Sequence, residues 1–247
     1  MKKGIVASNQ WLKLKELTNA RVALGNIGPA LPLFEVLALK EAHAMAKDAI
    51  VRTLDHTYLE RECKTLGLPC FRFKSQVGDR LEYLKRPDLG RKIETSNHKA
   101  PIDKANIVLV ITDGLSAKAV NTNVFQVIKA VLPDIKSKYS ISVALVEQGR
   151  VAIGDPIAKI FNADFVAVFI GERPGLSSPE SMGIYTTYKP DIGITDERRN
   201  CISNIHRNGL SSSQASNLLI YLIRESFGKK ISGVKLKIDL QRVIENN

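Results

Sequence analysis

Ile107-Val108-Leu109-Val110-Ile111 is an unbroken run of β-branched residues and leucine, bounded by Asn106 before it and by Asp113-Gly114 shortly after it. A strand that is covered on both faces has such a continuous apolar run, whereas a half-exposed strand alternates. Two similar runs follow at residues 141–146 and 165–170. Their intervals leave room for crossover helices, so the sequence predicts βαβ units of a parallel sheet.

The predicted crossover helices have recognisable ends. Residues 120–132 form one such segment, and Pro133 is expected to end it because proline lacks a backbone N–H. Asp155-Pro156 places a good N-cap before a proline at the first helical position, which predicts a short helix through Phe161.

The last long helix has the clearest register. Ser211 and Gln214 form an S-x-x-Q capping box, and Gly228 is predicted to stop the helix. Its apolar face is predicted to consist of Ala215, Leu218, Leu219, Leu222 and Ile223.

The first hundred residues have a different character. Residues 33–52 contain no glycine or proline and are rich in Leu, Ala and Lys, which favours a helix, and residues 54–66 continue in the same style. Residues 71–73 and 81–84 are predicted to be short extended pieces around a Gly78-Asp79 turn, which would make a small hairpin. We therefore predict an α/β fold in which a mainly helical N-terminal region, residues 1–100, precedes a doubly wound, Rossmann-like parallel-sheet domain, residues 101–247.

Composition narrows the classes of protein. The 247 residues carry 36 basic and 25 acidic side chains, a net charge of +11, with +7 in residues 1–100 and +4 in residues 101–247. This charge makes a nucleic-acid-binding module the alternative from another class, although no nucleic-acid motif accompanies it. The three cysteines are too few for a disulfide framework and suit a reduced cytosolic setting. No apolar run approaches the length of a membrane-spanning helix. Residues Met1–Trp11 lack the apolar core of a signal peptide.

Ligands of open parallel sheets bind where the loops after the strands converge. The polar, glycine-bearing turns at 112–116, 148–155 and 171–175 are predicted to form such a rim. A fourth loop, residues 200–204, is expected to fold back to the same edge. Dinucleotide and Walker motifs are absent, the four histidines lack zinc spacing, and Cys63 and Cys70 do not form C-x-x-C.

Individual rim residues leave alternatives open. Cys201 could be a nucleophile or could serve packing or ligand contact. Glu172 could be an acid/base group or an acceptor for loop amides or a ligand. Asp113 could bind a ribose or magnesium or could cap the next helix. Ser116 lacks the G-x-S-x-G context of a hydrolase nucleophile, but a stand-alone hydrolase using Ser116 or Cys201 remains a third possibility.

Six separated motifs, in order along nearly the whole chain, resemble the small (light) subunit family of ethanolamine ammonia-lyase, an adenosylcobalamin-dependent enzyme. These motifs are Arg86-Pro87-Asp88-Leu89-Gly90-Arg91, Asp113-Gly114-Leu115-Ser116, Gly149-Arg150-Val151, Gly171-Glu172-Arg173-Pro174-Gly175-Leu176, Arg199-Asn200-Cys201-Ile202-Ser203-Asn204-Ile205-His206 and Ser232-Gly233.

The resemblance implies that a large TIM-barrel subunit binds ethanolamine and performs the radical conversion to acetaldehyde and ammonia. The small subunit would hold adenosylcobalamin against the barrel, through Val151, Glu172 and Cys201, and would carry no catalytic residue. It also implies a hetero-oligomer with several copies of each subunit, without nucleic acid or membrane.

Three further expectations come with the resemblance. It implies a cytoplasmic enzyme inside the ethanolamine-utilising bacterial microcompartment, although the short stretch before Arg21 leaves targeting open. Asn204 to Gly209 is similar to the D-x-H-x-x-G motif in which histidine ligates cobalt. We expect no metal ligand at His206, because asparagine is a poorer partner than a carboxylate for raising imidazole basicity. The partner surface that faces residues 1–100 is expected to be acidic.

Overall fold

A computed structural model describes residues 13–18, 20–94 and 104–238, so the predicted features of Met1–Trp11 lie outside the described residues. Its six strands form one mixed sheet in the order β1-β3-β2-β4-β5-β6. The first four strands pair in parallel, and β5 and β6 are antiparallel to their neighbours. The strands are β1 (Cys70–Lys74), β2 (Ile107–Thr112), β3 (Ile141–Glu147), β4 (Phe165–Gly171), β5 (Met182–Tyr188) and β6 (Asn200–Ile205).

The α-helices account for much of the rest of the described chain. They are α1 (Leu14–Leu17), α2 (Leu33–Val51), α3 (His56–Thr65), α4 (Arg80–Lys85), α5 (Ala117–Ile135), α6 (Gly154–Ile160) and α7 (Ser212–Lys229). Among the described residues, none of them combines the length and the apolar character that a membrane span requires.

Strand β2 lies between β3 and β4, and all six of its residues are buried. Because side chains alternate along a strand, Ile107, Leu109 and Ile111 enter a core shared with α3, α5 and α7. Val108 and Val110 enter a second core on the other face, against α6. The two cores confirm the predicted α/β sheet with helices on both faces.

The N-terminal helices are confirmed, but the predicted hairpin is wrong. Residues 70–74 form β1, which pairs in parallel with β3 and so extends the main sheet. Residues 80–85 are helical because the carboxylate of Asp79 accepts the Glu82 N–H at 2.8 Å and caps α4. The division of the chain at residue 100 stays a prediction, although the sheet takes its edge strand from residues before that point.

Two predicted helix ends also differ. Pro133 lies inside α5, in its last turn, where its missing N–H removes a single helical hydrogen bond. Helix α7 has the predicted capping box, but it continues through Gly228 to Lys229, and Lys230 adopts the left-handed conformation instead, at φ +58°.

The predicted fourth loop is a strand. Residues 200–205 form β6, the outer strand of the sheet, and β5, which pairs with both β4 and β6, has no counterpart among the predicted strands. The β5 sequence, Met-Gly-Ile-Tyr-Thr-Thr-Tyr, has no continuous β-branched apolar run. Because β6 runs antiparallel to β5, its end at Ile205 reaches the same edge of the sheet as the end of β4.

Candidate functional site

The turns after β2 and β4 interlock at the carboxyl edge of the sheet. The N–H of Leu115 donates to the Gly171 carbonyl at 2.8 Å. A Cβ on Gly114 would lie 2.3 Å from that carbonyl oxygen, and a Cβ on Gly171 would lie 2.1 Å from the carbonyl oxygen of Ser116. The motifs Asp-Gly-Leu-Ser and Gly-Glu-Arg-Pro-Gly therefore need their glycines because the two backbones touch.

The turn after β3 is fixed to the end of β2. Gln148 adopts a left-handed φ of +56°, and its N–H donates to Asp113 Oδ1 at 2.8 Å. The next N–H, from Gly149, donates to Thr112 Oγ1 at 2.9 Å. A 3-10 turn over Val151–Ile153 then leads into α6.

Asp113 holds these turns together and does not cap the next helix. Ser116 caps α5 instead: its Oγ accepts the Ala119 N–H at 3.3 Å and donates to the Pro179 carbonyl at 2.9 Å. Burial raises the pKa of the Asp113 carboxyl to about 6, although Arg80 Nη1, 3.2 Å from Oδ2, opposes the shift. Because Ser116 is also fully buried, it is badly placed to act as a hydrolase nucleophile.

These turns enclose a cleft of about 430 Å³ at the edge of the sheet. Val151 and Glu172, two of the three predicted site residues, both line it. The complete lining is Tyr83, Leu115, Arg150, Val151, Ile170, Gly171, Glu172, Arg173 and Tyr185. The cleft therefore combines aliphatic surface with arginine, carboxylate and phenol groups.

Glu172 extends from the end of β4 across the two outer strands. Its carboxylate accepts from the Ser181 hydroxyl and, at 3.3 Å, from the N–H of Asn204. A Cβ on Gly183 would lie 2.9 Å from Glu172 Oε1, so glycine makes room for this side chain. The carboxylate is thus an acceptor for protein groups, as one of its two predicted roles required.

Cys201 lies in β6, opposite Tyr185 of β5, and its thiol hydrogen-bonds the Tyr185 hydroxyl. Tyr185 lines the cleft, whereas Cys201 is exposed on the outer strand beside Tyr185 and is not part of the lining. Loss of water around the sulfur raises the pKa of the Cys201 thiol, the Glu172 carboxylate adds to the shift, and the Tyr185 hydrogen bond opposes it. A thiol that stays protonated is a poor nucleophile.

Asp155 does not have the predicted N-cap role. Its carboxylate accepts hydrogen bonds from both terminal nitrogens of Arg199, at 2.8 and 2.7 Å, and makes no capping hydrogen bond in α6. Arg199 directly precedes β6, so the pair ties the outer strand to the helix that follows Val151.

Both ring nitrogens of His206 are used inside its own turn. The N–H of Asn208 donates to Nδ1 at 3.2 Å, which leaves Nε2 as the protonated nitrogen of a neutral ring, 2.8 Å from Asn204 Oδ1. Within the described ranges, no three His, Cys, Asp or Glu side chains form a group that can hold a metal ion.

Sequence reasoning missed Tyr83, Arg150 and Tyr185 as members of the site. Arg150 is part of a quoted motif, but nothing in its neighbourhood assigned it a role. Tyr83 and Tyr185 reach the cleft from α4 and β5, two elements whose secondary structure the sequence patterns did not reveal.

Comparison with known proteins agrees with the resemblance carried by the motifs. The model of the ethanolamine ammonia-lyase light chain (EutC) family matches residues 8–237. The ethanolamine ammonia-lyase small subunit of Pseudomonas fluorescens Pf-5 is 41% identical over 244 residues, which are 95% of this chain and 89% of that protein. The small subunit of Ralstonia nicotianae is 42% identical over 94% of this chain and 89% of its own length. Agreement over nearly the whole chain shows that the chain belongs to the family of ethanolamine ammonia-lyase light chains.

Proposed function

We propose that this chain is the small subunit of an adenosylcobalamin-dependent ethanolamine ammonia-lyase, in which it holds cobalamin against the large subunit. The observation that carries the proposal is the cleft at the carboxyl edge of the sheet, because it brings Val151 and Glu172 together and is lined by Tyr185, the β5 neighbour of Cys201. The substrate, ethanolamine, would be converted to acetaldehyde and ammonia on the large subunit, and this chain would carry no catalytic residue.

The residues of the cleft fit the chemistry of cobalamin. Its corrin ring is a large, mostly apolar disc fringed by amides, which requires apolar surface with a few placed donors and acceptors. Leu115, Val151 and Ile170 supply the apolar surface. Arg150 and Glu172, which also line the cleft, supply a donor and an acceptor for amide groups.

Each of the three proposed contacts has a distinct role. Val151 provides contact area and backbone groups beside the corrin. Glu172 accepts from amide N–H groups while Ser181 and Asn204 hold its carboxylate in place. Cys201 contributes a small, polarisable group beside Tyr185. When bound, adenosylcobalamin supplies the difficult chemistry itself, homolysis of the cobalt–carbon bond, and the protein supplies position.

A small subunit implies a large subunit of the same enzyme, and the N-terminal region offers a surface for it. Leu33, Phe34 and Leu37 on α2 are more than half exposed, at 69%, 63% and 55%. Exposed apolar patches of this kind mark sites of protein association. We propose that the large subunit is a TIM barrel, that several copies of each subunit assemble, and that an acidic barrel surface faces residues 1–100.

The test is reconstitution from separate components. Turnover of ethanolamine should require this chain, the large subunit and adenosylcobalamin together, and the isolated chain should be inactive. Replacing Glu172 by alanine should weaken the binding of cyanocobalamin to the complex, with Glu180→Ala as a control on an exposed ion pair. An unchanged cobalamin titration in Glu172→Ala would remove Glu172 from the site, and hydrolysis of an ester or amide by the isolated chain would support the hydrolase instead.

Two expectations remain to be tested, the nucleic-acid-binding alternative and the location in the cell. A nucleic-acid-binding module would retain nucleic acid in a salt-sensitive way and would show no cobalamin absorption. We also propose that the enzyme works inside the ethanolamine-utilising microcompartment of the bacterial cytoplasm. It should then sediment with shell proteins from cells grown on ethanolamine.

A further inference from the structure

Tyr83 connects the N-terminal part of the chain to the turn that carries Val151. Its side chain is fully buried, and its hydroxyl donates to the Gly149 carbonyl at 3.0 Å. Its own carbonyl accepts from Arg150 Nη2 at 2.8 Å. Gly149 and Arg150 are therefore both hydrogen-bonded to Tyr83 of α4, Gly149 to its hydroxyl and Arg150 to its backbone carbonyl.

The ring of Tyr83 also contacts two guanidinium groups. The Arg150 guanidinium lies over the ring at 4.0 Å from its centroid, and that of Arg80 lies at 4.6 Å. Both are within the distance at which a cation is attracted to an aromatic face. Arg80 is in turn held by Asp113 Oδ2 at 3.2 Å and by the carbonyl of Ile50 at 2.7 Å, so the stack is anchored at its outer end.

Gly90 closes the other side of this assembly. Its carbonyl accepts the N–H of Arg150 at 2.7 Å, and a Cβ on Gly90 would lie 2.7 Å from Arg150 Cγ and 3.2 Å from the Gln148 carbonyl oxygen. The Arg-Pro-Asp-Leu-Gly-Arg motif therefore packs directly against the turn at 148–151. A bulkier residue at position 90 would push Arg150 away from Tyr83.

Two guanidinium nitrogens of this assembly, Arg150 Nε and Arg80 Nη2, have no hydrogen-bond partner among the described residues, and of these two arginines Arg150 lines the cleft. Arg150 Nε is buried and, within the described parts of the chain, has no acceptor in reach, although Nη2 of the same group is bonded. Arg150 and Tyr83 both line the cleft with Val151 and Glu172. A buried guanidinium N–H without an acceptor is costly, so the position of Arg150 is held by its other contacts, the Nη2 hydrogen bond and the Tyr83 ring.

From this geometry we propose that Tyr83 is a positioning residue for cobalamin binding: it fixes the Arg150 side chain at the wall of the cleft so that the guanidinium meets a carbonyl or phosphate oxygen of the cofactor beside Val151. This inference rests on the proposed function and names residues that the family resemblance did not assign. Burial raises the pKa of the Tyr83 phenol, against the effect of Arg150, so the hydroxyl remains a donor near neutral pH.

The experiment uses the complex of this chain with its large subunit and measures equilibrium binding of cyanocobalamin by absorption, together with the KM for adenosylcobalamin and kcat. Tyr83→Phe removes only the hydrogen bond to Gly149 and should weaken binding about 2- to 10-fold. Tyr83→Leu removes both this hydrogen bond and the aromatic ring, and Arg150→Lys removes the stacked guanidinium. Each should weaken cobalamin binding by about 10-fold or more. At saturating cofactor, kcat of Tyr83→Phe should stay within about 2-fold of the unsubstituted value.

Tyr58→Phe is the matched control, because the Tyr58 ring also contacts an arginine but packs against Phe125 in the core that α3, α5 and α7 share, and Tyr58 does not line the cleft. It should bind cobalamin as the unsubstituted complex does. If folded complexes with Tyr83→Phe and with Arg150→Lys bind cobalamin as tightly as the unsubstituted complex, the inference is overturned. It is also overturned if kcat and cobalamin affinity fall only because the subunits dissociate. Where Tyr83→Leu fails to fold, Tyr83→Phe decides. A failure of the unsubstituted complex to bind cobalamin would overturn the proposed function itself.

Discussion

Arg199 and Asp155 form a two-point ion pair in the interior of the protein, with distances of 2.8 Å from Nη1 to Oδ1 and 2.7 Å from Nη2 to Oδ2. Their side chains are only 2% and 3% exposed. A guanidinium that is buried to this extent needs its carboxylate, because few other groups replace the water it has lost. The pair joins the segment before β6 to α6, beside the proposed cobalamin turn.

Breaking this pair from one side should be costly. Asp155→Asn leaves the Arg199 charge buried with only the exposed Asp196 carboxylate and a threonine hydroxyl, and should lower the free energy of unfolding by roughly 3 kcal/mol or more. Urea denaturation measures the change. Asp88→Asn is the control, since Asp88 also binds an arginine at two points but on the surface, and it should leave the transition unmoved.

Asp113 gives a pH dependence with a defined sign. Its carboxyl pKa is raised by burial to about 6 in the folded protein, above the unfolded value of ~3.9, so the folded state holds the proton more tightly. The stability that this proton provides is present below pH ~4 and is lost as the pH rises through about 6.

Urea unfolding of the unsubstituted chain and of Asp113→Asn, at several values between pH 4 and 7, isolates this contribution. The free energy of unfolding of the unsubstituted chain, minus that of Asp113→Asn, should fall by roughly 3 kcal/mol across this range. A difference that stays constant with pH would show that Asp113 titrates elsewhere.

The buried strands could be predicted, because a parallel strand that is covered on both faces has a continuous apolar run such as residues 107–111. The outer half of the sheet could not, since β5 owes its place to pairing with β4 and β6 rather than to its own composition. Local rules also failed where a distant partner was stronger: Asp155 precedes a proline like an N-cap, yet Arg199, 44 positions away, takes its carboxylate.

The candidate site divides in the same way. Val151 and Glu172 follow buried strands, so the rule for parallel sheets is enough to predict that they lie at one edge. Tyr83 meets Gly149 and Arg150 across 66 and 67 positions, and no local pattern records such a contact. The sequence predicts a loop at Cys201, and only the antiparallel pairing of β6 explains how this residue comes to lie beside Tyr185, which lines the cleft.

Two glycines of one motif should respond very differently to alanine. In Gly171→Ala the new Cβ would lie 2.1 Å from the Ser116 carbonyl and 2.5 Å from that of Asp113, so the turns after β2 and β4 must separate. We expect a loss of about 3 kcal/mol in the free energy of unfolding and much weaker cobalamin binding by the complex. Gly175→Ala meets nothing closer than 3.8 Å and should be tolerated in both measurements.

Cys201 should react slowly with alkylating reagents near neutral pH. Because its pKa is raised by loss of water around the sulfur, the rate of its modification by iodoacetamide should still be increasing at pH values where a free thiol, of pKa ~8.5, levels off. Mass spectrometry of the peptide that contains residue 201 follows this rate, and Cys201→Ala verifies the peptide. A plateau near neutral pH would indicate the activated thiolate that a cysteine hydrolase requires.

His206 should not be the cobalt ligand when the complex binds cobalamin. Its Nδ1 accepts the Asn208 N–H and its Nε2 faces Asn204 Oδ1, so ligation would break a hydrogen bond within the turn and would leave the ring without a carboxylate partner. Cob(II)alamin added to the complex makes this visible, since electron paramagnetic resonance reports splitting by the axial nitrogen. Labelling the protein's histidines with nitrogen-15 should leave the splitting unchanged, and His206→Gln should preserve it too. A splitting that changes with the label and is lost in His206→Gln would instead assign the axial position to this histidine.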